Sequence, residues 1–226
     1  MKACFVTEYS VNSVWQDKLN VLAGNELVVF GFNGLGLVSY KKELAGETEY
    51  FQDVAKLSAQ LSNVVISGCD TDTYGVFKHS AVIAEKGKIV GVSDMVHSID
   101  ESEFVSGGNY RVYETTYGKI GVIIAEDLFF PESARVLALC DADIIVCLFK
   151  KIDSFMPQIM VRAGAFANGV ATALVGQGYA CVSDIRGNII SASQSDLLKV
   201  NVKTEKDYHL IGSRRRGIYR DFNAGY

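Results

Sequence analysis

The sequence predicts an α/β (α+β) fold, a sandwich of two mixed sheets with helices on the outer faces. Short apolar runs of strand length alternate with segments of helical periodicity. The predicted order, β-α-β-α-β-β-β-β-α-β-α-β-β-β, mixes strand–helix units with hairpins, which suits packed mixed sheets better than a simple doubly wound sheet. In 226 residues there are only two prolines and no repeat, low-complexity tract or linker, so one domain spanning 1–226 is expected.

The elements follow in order. "ACFVTE" reads as a first strand. From Ser13, a plausible N-cap, Val14, Trp15, Lys18, Leu19 and Leu22 keep helical spacing until Gly24 and Asn25 stop them. "ELVVFGF" is a second strand, and residues 48–61 form a helix with Phe51, Val54, Leu57 and Leu61 on one face. "NVVISG" is a third strand, and "FKHSAVIAEKGKIVGVSDMV" a hairpin turning at Lys86-Gly87. "YRVYET" leads through Gly118 into a strand over 119–124. A helix over 131–139 opens on Pro131, where a missing N–H does no harm. "ADIIVCLF", a helix over 153–168, "VATALVG" and "YACVSDIRGNIISAS" complete the pattern.

Composition narrows the function. Hydrophobic residues make up 49% and charged residues 21%, with a net charge of −4, which argues against nucleic acid or an anionic membrane as a broad electrostatic partner. The opening "MKACFVTEYS" has too short an apolar run for a signal peptide, and no segment approaches the ~18 apolar residues of a membrane span. Cys4, Cys69, Cys140, Cys147 and Cys181 form no C-x-x-C pair, and an odd count of this kind points to reduced thiols in the cytoplasm. His79, His97 and His209 have no acid or Cys at ligand spacing, so neither a metal nor another cofactor is expected.

The most informative stretch is "GVIIAEDLFFPES", residues 121–133. A buried strand runs through a tight polar elbow into a helix, the arrangement that holds the nucleophile of many α/β enzymes. At the bend stands Ala125, which carries no functional group. With "VVFGFNGLG" (28–36), "HSAVIAEKGKIVGVSDMVH" (79–97), "YGKIGVIIAEDLFFPESARVLALCDADIIVCLF" (117–149) and "VRAGAFANGVATALVGQGYACVSDIRGNII" (161–190) in this order, the chain resembles the nitrilase, or carbon–nitrogen hydrolase, superfamily. The resemblance implies a nitrilase-like α-β-β-α sandwich. It also implies a Cys–Glu–Lys triad, in which a thiolate attacks a nitrile or amide carbon, Glu is the general base and Lys stabilises the developing charge.

This sequence departs at all three positions. Phe32 stands at the Glu position, Met95 at the Lys position and Ala125 at the Cys position, with the family's spacing kept. An engineered Cys→Ala trap would explain only Ala125, and sliding the first motif by two residues brings Gly34, not an acid, to the Glu position. If function has moved, an even loop at Lys86-Gly87 sets Lys78 opposite Met95, and Glu126, Asp127, Cys147 and Phe149 complete a possible residual pocket. Asp127 reads as a structural elbow acid, and the apolar neighbours of Cys147 favour its burial. The remaining reading is an inactive descendant. Losing one member of a buried Glu–Lys pair strands a charge at ~3–5 kcal/mol, and apolar residues at both positions avoid that cost. This is the reading expected here, with a divergent amidase-type hydrolase as the alternative.

The resemblance also implies association through the helices at 131–139 and 153–168, whose faces carry Val136, Leu137, Phe155, Ile159 and Met160. A homodimer, or a hetero-oligomer with an active paralogue, is expected, together with a possible small-molecule ligand. The segments between Phe149 and Val161 and at 176–179 are trimmed relative to regions that shape the family's active-site rim. Residues 200–226 read as a C-terminal extension laid on a dimer partner, its Arg214, Arg215, Arg216 and Arg220 set among Tyr219, Phe222 and Tyr226.

Overall fold

The computed structural model describes residues 1–99 and 103–214. It opens with β1 (Lys2–Val6), α1 (Val11–Asp17), α2 (Leu19–Leu22), β2 (Leu27–Phe30), β3 (Leu37–Ser39), α3 (Tyr40–Ala45) and α4 (Tyr50–Leu61). Strands β4 (Val64–Thr73), β5 (Val76–Glu85), β6 (Lys88–Asp94), β7 (Val112–Thr115) and β8 (Gly118–Ile124) follow, then α5 (Pro131–Leu139), β9 (Ile144–Lys151) and α6 (Met156–Asn168). After them come β10 (Ala171–Gln177), β11 (Tyr179–Ser183), β12 (Ile189–Ser193), β13 (Leu197–Asn201) and α7 (His209–Ser213).

The strands form two mixed sheets. One runs β13-β1-β2-β4-β5-β6, with β3 beside β4, and the other β12-β11-β10-β9-β8-β7. Both are parallel at the centre and antiparallel towards the edges. Period-two alternation explains how one run feeds two cores. In β1, Ala3 and Phe5 enter the layer between the sheets, while Cys4 and Val6 face Val14, Leu22 and Val54 of the helices outside. On β9, Ile144, Val146 and Leu148 face inward, whereas Ile145 and Cys147 meet Leu137 and Val161. Central strands covered on both faces therefore read as continuous apolar runs.

Several boundaries differ from the sequence expectation. Ser10, not Ser13, caps α1, and Ser13 completes a reciprocal capping box from three residues further on. The helices expected over 48–61 and 153–168 begin at Tyr50 and Met156, the second with Pro157 in its first turn. Strand β3 and helix α3 were not anticipated; three and six residues are too few for a periodicity to register. The hairpin turn falls where expected, with Lys86 and Gly87 both at positive φ, as a two-residue hairpin loop demands.

The expected C-terminal extension holds partly to its own chain. Val202 N–H bonds the Met1 carbonyl, Lys206 pairs with Asp141 and Asp143, and Asp207 N–H bonds the Gly169 carbonyl. Gly169 ends α6 at φ +63°, and a Cβ there would meet the Asp207 carbonyl oxygen at 1.7 Å, so this approach requires glycine. Residues 215–226, with three of the four tail arginines, lie outside the described residues. No helix among the described residues is long and apolar enough to cross a membrane.

Candidate functional site

The elbow forms as its sequence suggests. β8 ends at Ile124 and a short 3-10 turn over Ala125–Phe129 leads to Pro131 at the start of α5. Ala125 sits at φ +48°, a left-handed conformation that a residue with a Cβ adopts only under constraint. Asp127, 1% exposed, provides the constraint. Its carboxylate accepts from the N–H groups of Val96 (2.7 Å) and His97 (2.8 Å) and from the Tyr110 hydroxyl (3.1 Å), and lies 2.9 Å from His97 Nδ1. Ser133 closes the elbow by donating to the Asp127 carbonyl at 2.6 Å. The reading of Asp127 as structural thus has a geometry: it ties the elbow to the backbone immediately after Met95.

Phe32, Met95 and Ala125 all belong to the apolar cluster between the sheets, 5%, 3% and 4% exposed. Among them there is no thiol, carboxylate or amine, and nothing ionisable is stranded. Phe32 opens a 3-10 turn after β2, and Met95 follows β6 with its N–H on the His79 carbonyl at 2.8 Å.

The other site residues are placed differently from expectation. Lys78 does not oppose Met95. The β5–β6 register shifts by one residue between Ile83 and Ala84, so Ser80 faces Asp94 and Lys78 lies on the outer face of the sheet, its ammonium 2.8 Å from Asp94. Cys147 and Phe149 also leave the expected pocket, because odd-numbered residues of β9 face α5 and α6. Phe149 packs edge-on against Phe129 there. Glu126 is half-buried and makes no hydrogen bond or ion pair among the described residues.

The register shift brings in a residue that sequence reasoning had set aside. His79 turns inward beside Met95, its ring edge-on to Phe32 with centroids 5.6 Å apart and stacked on Phe104 at 3.7 Å. Its Nδ1 is 2.6 Å from Asp70, whose other oxygen accepts from Lys150 at 2.9 Å. Burial pulls the Asp70 carboxyl upward, but the hydrogen bonds from His79 and Lys150 and the Lys150 charge outweigh it, leaving Asp70 below its usual range. The Lys150 ammonium also lies over the rings of Phe104 and Phe32, at 5.0 and 5.7 Å. Lys150 and Phe104 thus cover the edge of the apolar cluster. The sequence signal for the shift was Gly91, a glycine inside a strand, where a Cβ would come within 2.6 Å of the Tyr113 ring.

A displaced nucleophile would need a reactive thiol. Burial pushes the Cys4 thiol up to about 11, against a smaller opposing pull from Lys199, and raises Cys69, Cys147 and Cys181 as well. Of the five thiols only Cys140 is exposed. Titration of the native chain with a disulfide reagent at neutral pH should therefore release one equivalent rapidly and the other four only in denaturant. A second fast equivalent lost on Cys147→Ser would contradict this placement.

With the geometry in place, the comparisons are direct. A family model described as carbon-nitrogen hydrolase matches residues 7–206. The chain is 31% identical over 157 residues to a probable nitrilase of Schizosaccharomyces pombe, covering 66% of this chain and 58% of that protein. It therefore spans less than two thirds of that relative's length. It is 30% identical over 203 residues to a nitrilase of Pyrococcus abyssi, covering 80% of this chain and 74% of the relative. A carbon-nitrogen hydrolase structure from Helicobacter pylori superposes with a TM-score of 0.82 at 21% identity, covering 99% of this chain and 98% of the other. A Nesterenkonia amidase of the nitrilase superfamily does so at 0.78 and 16%, covering 97% and 96%. The structural likenesses are ones of fold, and the family match rests on sequence. From elbow, sandwich and matched sequence together, the chain belongs to the carbon–nitrogen hydrolase, or nitrilase, superfamily.

Proposed function

We propose that this superfamily member does not hydrolyse C–N bonds and acts as a binding protein or oligomer partner. One observation carries the reading. The three positions aligned with the family's Cys–Glu–Lys triad hold Ala125, Phe32 and Met95, packed into the inter-sheet core as apolar side chains. A nucleophile, a base and a cation act as a unit, and in protease triads loss of one essential member already removes ~10⁶ in turnover. Five free thiols, four of them buried, suit the cytoplasm as the compartment.

The test is a screen of short aliphatic amides and nitriles with the unmodified chain beside a Phe32→Glu, Met95→Lys, Ala125→Cys variant. The unmodified chain should release ammonia no faster than the buffer blank, and the variant should exceed it. Turnover by the unmodified chain sinks the proposal. One observation favours the second reading, a divergent amidase-type hydrolase: Asp70, His79 and Lys150 form a charged group against Phe32. Turnover abolished by His79→Ala would establish that reading instead.

The apolar surface on α5 and α6 supports an oligomeric role. Val136, Leu139, Met156, Ile159 and Phe166 are exposed, as is Phe155 just before α6, whereas Leu137 is fully buried against the sheet. Several large apolar side chains exposed on two neighbouring helices support an interaction surface there. A homodimer is the first expectation, with a hetero-oligomer containing an active paralogue the variant of it. Size-exclusion chromatography with light scattering at micromolar concentration should give twice the 24.6 kDa chain mass, and a monomer there would rule out the homodimer.

A further inference from the structure

Each histidine of the chain has an aspartate at its Nδ1: Asp70 at His79, Asp127 at His97 and Asp207 at His209. A carboxylate can only accept, so in the Asp70–His79 pair Nδ1 keeps the proton and Nε2 keeps the lone pair of a base. His79 differs from the other two in sharing its carboxylate with an ammonium, since Lys150, half-exposed, donates to the second oxygen of Asp70 at 2.9 Å. The imidazole and the ammonium also share two ring neighbours, Phe32 and Phe104. His79 Nε2 has no partner among the described residues and is not one of the fully buried unpaired atoms there, so it meets solvent at the 11% of the side chain that is exposed.

Strand register sets an apolar shoulder beside this group. Leu37 of β3 lies opposite Asp70 of β4, and Asp70 opposite His79 of β5, so the three share one face. In the next row Asp72 faces Phe77, which bridges to Phe104. Leu37 is 56% exposed, and none of these residues belongs to the exposed face of α5 and α6. A base with a free lone pair can activate water, and an ammonium with two N–H groups beyond the one given to Asp70 can hold a developing oxyanion. The group contains no nucleophilic side chain, so water must attack directly. That suits an ester, whose carbonyl is more electrophilic than an amide's and whose leaving oxygen is far less basic than an amine.

We propose that Asp70, His79 and Lys150 form a site that hydrolyses small carboxylic esters with an apolar acyl chain. It rests on the second reading above, in which this group is hydrolytic, and carries that reading from the C–N to the C–O bond. Nε2 of His79 takes a proton from water as the water oxygen bonds the ester carbonyl carbon, and the Lys150 ammonium stabilises the oxyanion. Collapse breaks the bond to the leaving oxygen, which takes that proton from His79, and an acid and an alcohol are released. Asp70 acts through His79 as a positioning residue that fixes its tautomer, and the acyl chain lies along Leu37 and Phe77.

The full chain is assayed with 4-nitrophenyl butyrate, with free imidazole as the reference, beside His79→Gln, Lys150→Met, Asp70→Asn and His209→Gln. The unmodified chain should exceed three equivalents of imidazole about 100-fold in second-order rate, the low end of what a positioned base contributes. His79→Gln should remove nearly all of that excess, and Lys150→Met should lower kcat/KM about tenfold. Asp70→Asn should lower kcat about tenfold with KM unchanged, a split that a merely structural role would not give. His209→Gln removes an exposed imidazole that is also paired with an aspartate, and should keep the full rate. Should His79→Gln fail to fold, Lys150→Met decides, since its side chain is half-exposed. A rate no greater than that of imidazole, or one that survives His79→Gln or Lys150→Met, overturns the proposal. Ester turnover without ammonia from the amide screen supports it and leaves the Ala125 elbow without C–N chemistry. Ammonia release without ester turnover overturns it while the amidase reading stands.

Discussion

A chain carrying Met95→Lys alone should melt roughly 10 °C below the unmodified protein, and adding Phe32→Glu should recover most of that loss. Met95 is 3% exposed in the inter-sheet layer, so an ammonium there gives up nearly all its hydration. Uncompensated burial of this kind costs ~3–5 kcal/mol, and in a domain of this size each kcal/mol moves Tm by about 2–4 °C. A glutamate at 32 restores a counter-charge in the same apolar cluster. The single Phe32→Glu change should lose less than Met95→Lys, because its neighbours already include the Lys150 ammonium, 5.7 Å from the Phe32 ring, and His79. The check is a double-mutant cycle by scanning fluorimetry and urea unfolding. Losses that simply add would mean that positions 32 and 95 do not meet, and would remove the physical basis for equating them with a Glu–Lys pair.

Asp127→Ala should be the most damaging single change at the elbow, costing about 3–5 kcal/mol in urea unfolding. The carboxylate takes two backbone N–H groups and the Tyr110 hydroxyl while 99% buried, and charge-assisted bonds of this sort contribute ~1.5–3 kcal/mol each, not fully additively. Asp127→Asn should fall between, since its amide oxygen keeps an acceptor while its NH₂ faces other donors. A loss under 1 kcal/mol for Asp127→Ala would mean that the loop after Met95 holds itself. Glu126→Gln, one residue away, leaves no partner unpaired among the described residues and serves as the control.

Much of this was legible because the signals are local. Lys86-Gly87 announces its own turn, Pro131 its helix start, and the apolar strand runs their two covered faces. The elbow motif likewise drew attention to Ala125, and the family resemblance singled out Phe32 and Met95. What could not be read depends on register or on distance along the chain. One extra residue opposite Ile83–Ala84 moves Lys78 to the outer face and His79 to the inner one, and only Gly91 hinted at it. The Asp70–His79–Lys150 group is contributed by β4, β5 and β9, drawn from both sheets, and no sequence window contains it.

The left-handed turn at Ala125 has a practical consequence. A backbone bent to φ +48° and tied down by Asp127 presents the Cβ at position 125 in one fixed direction, whatever is attached to it. Any residue substituted there, including a thiol, a selenol or a spectroscopic label, starts from an orientation the scaffold already enforces. That makes the elbow a ready mounting point for measuring how much of a hydrolase is nucleophile and how much is the frame that aims it.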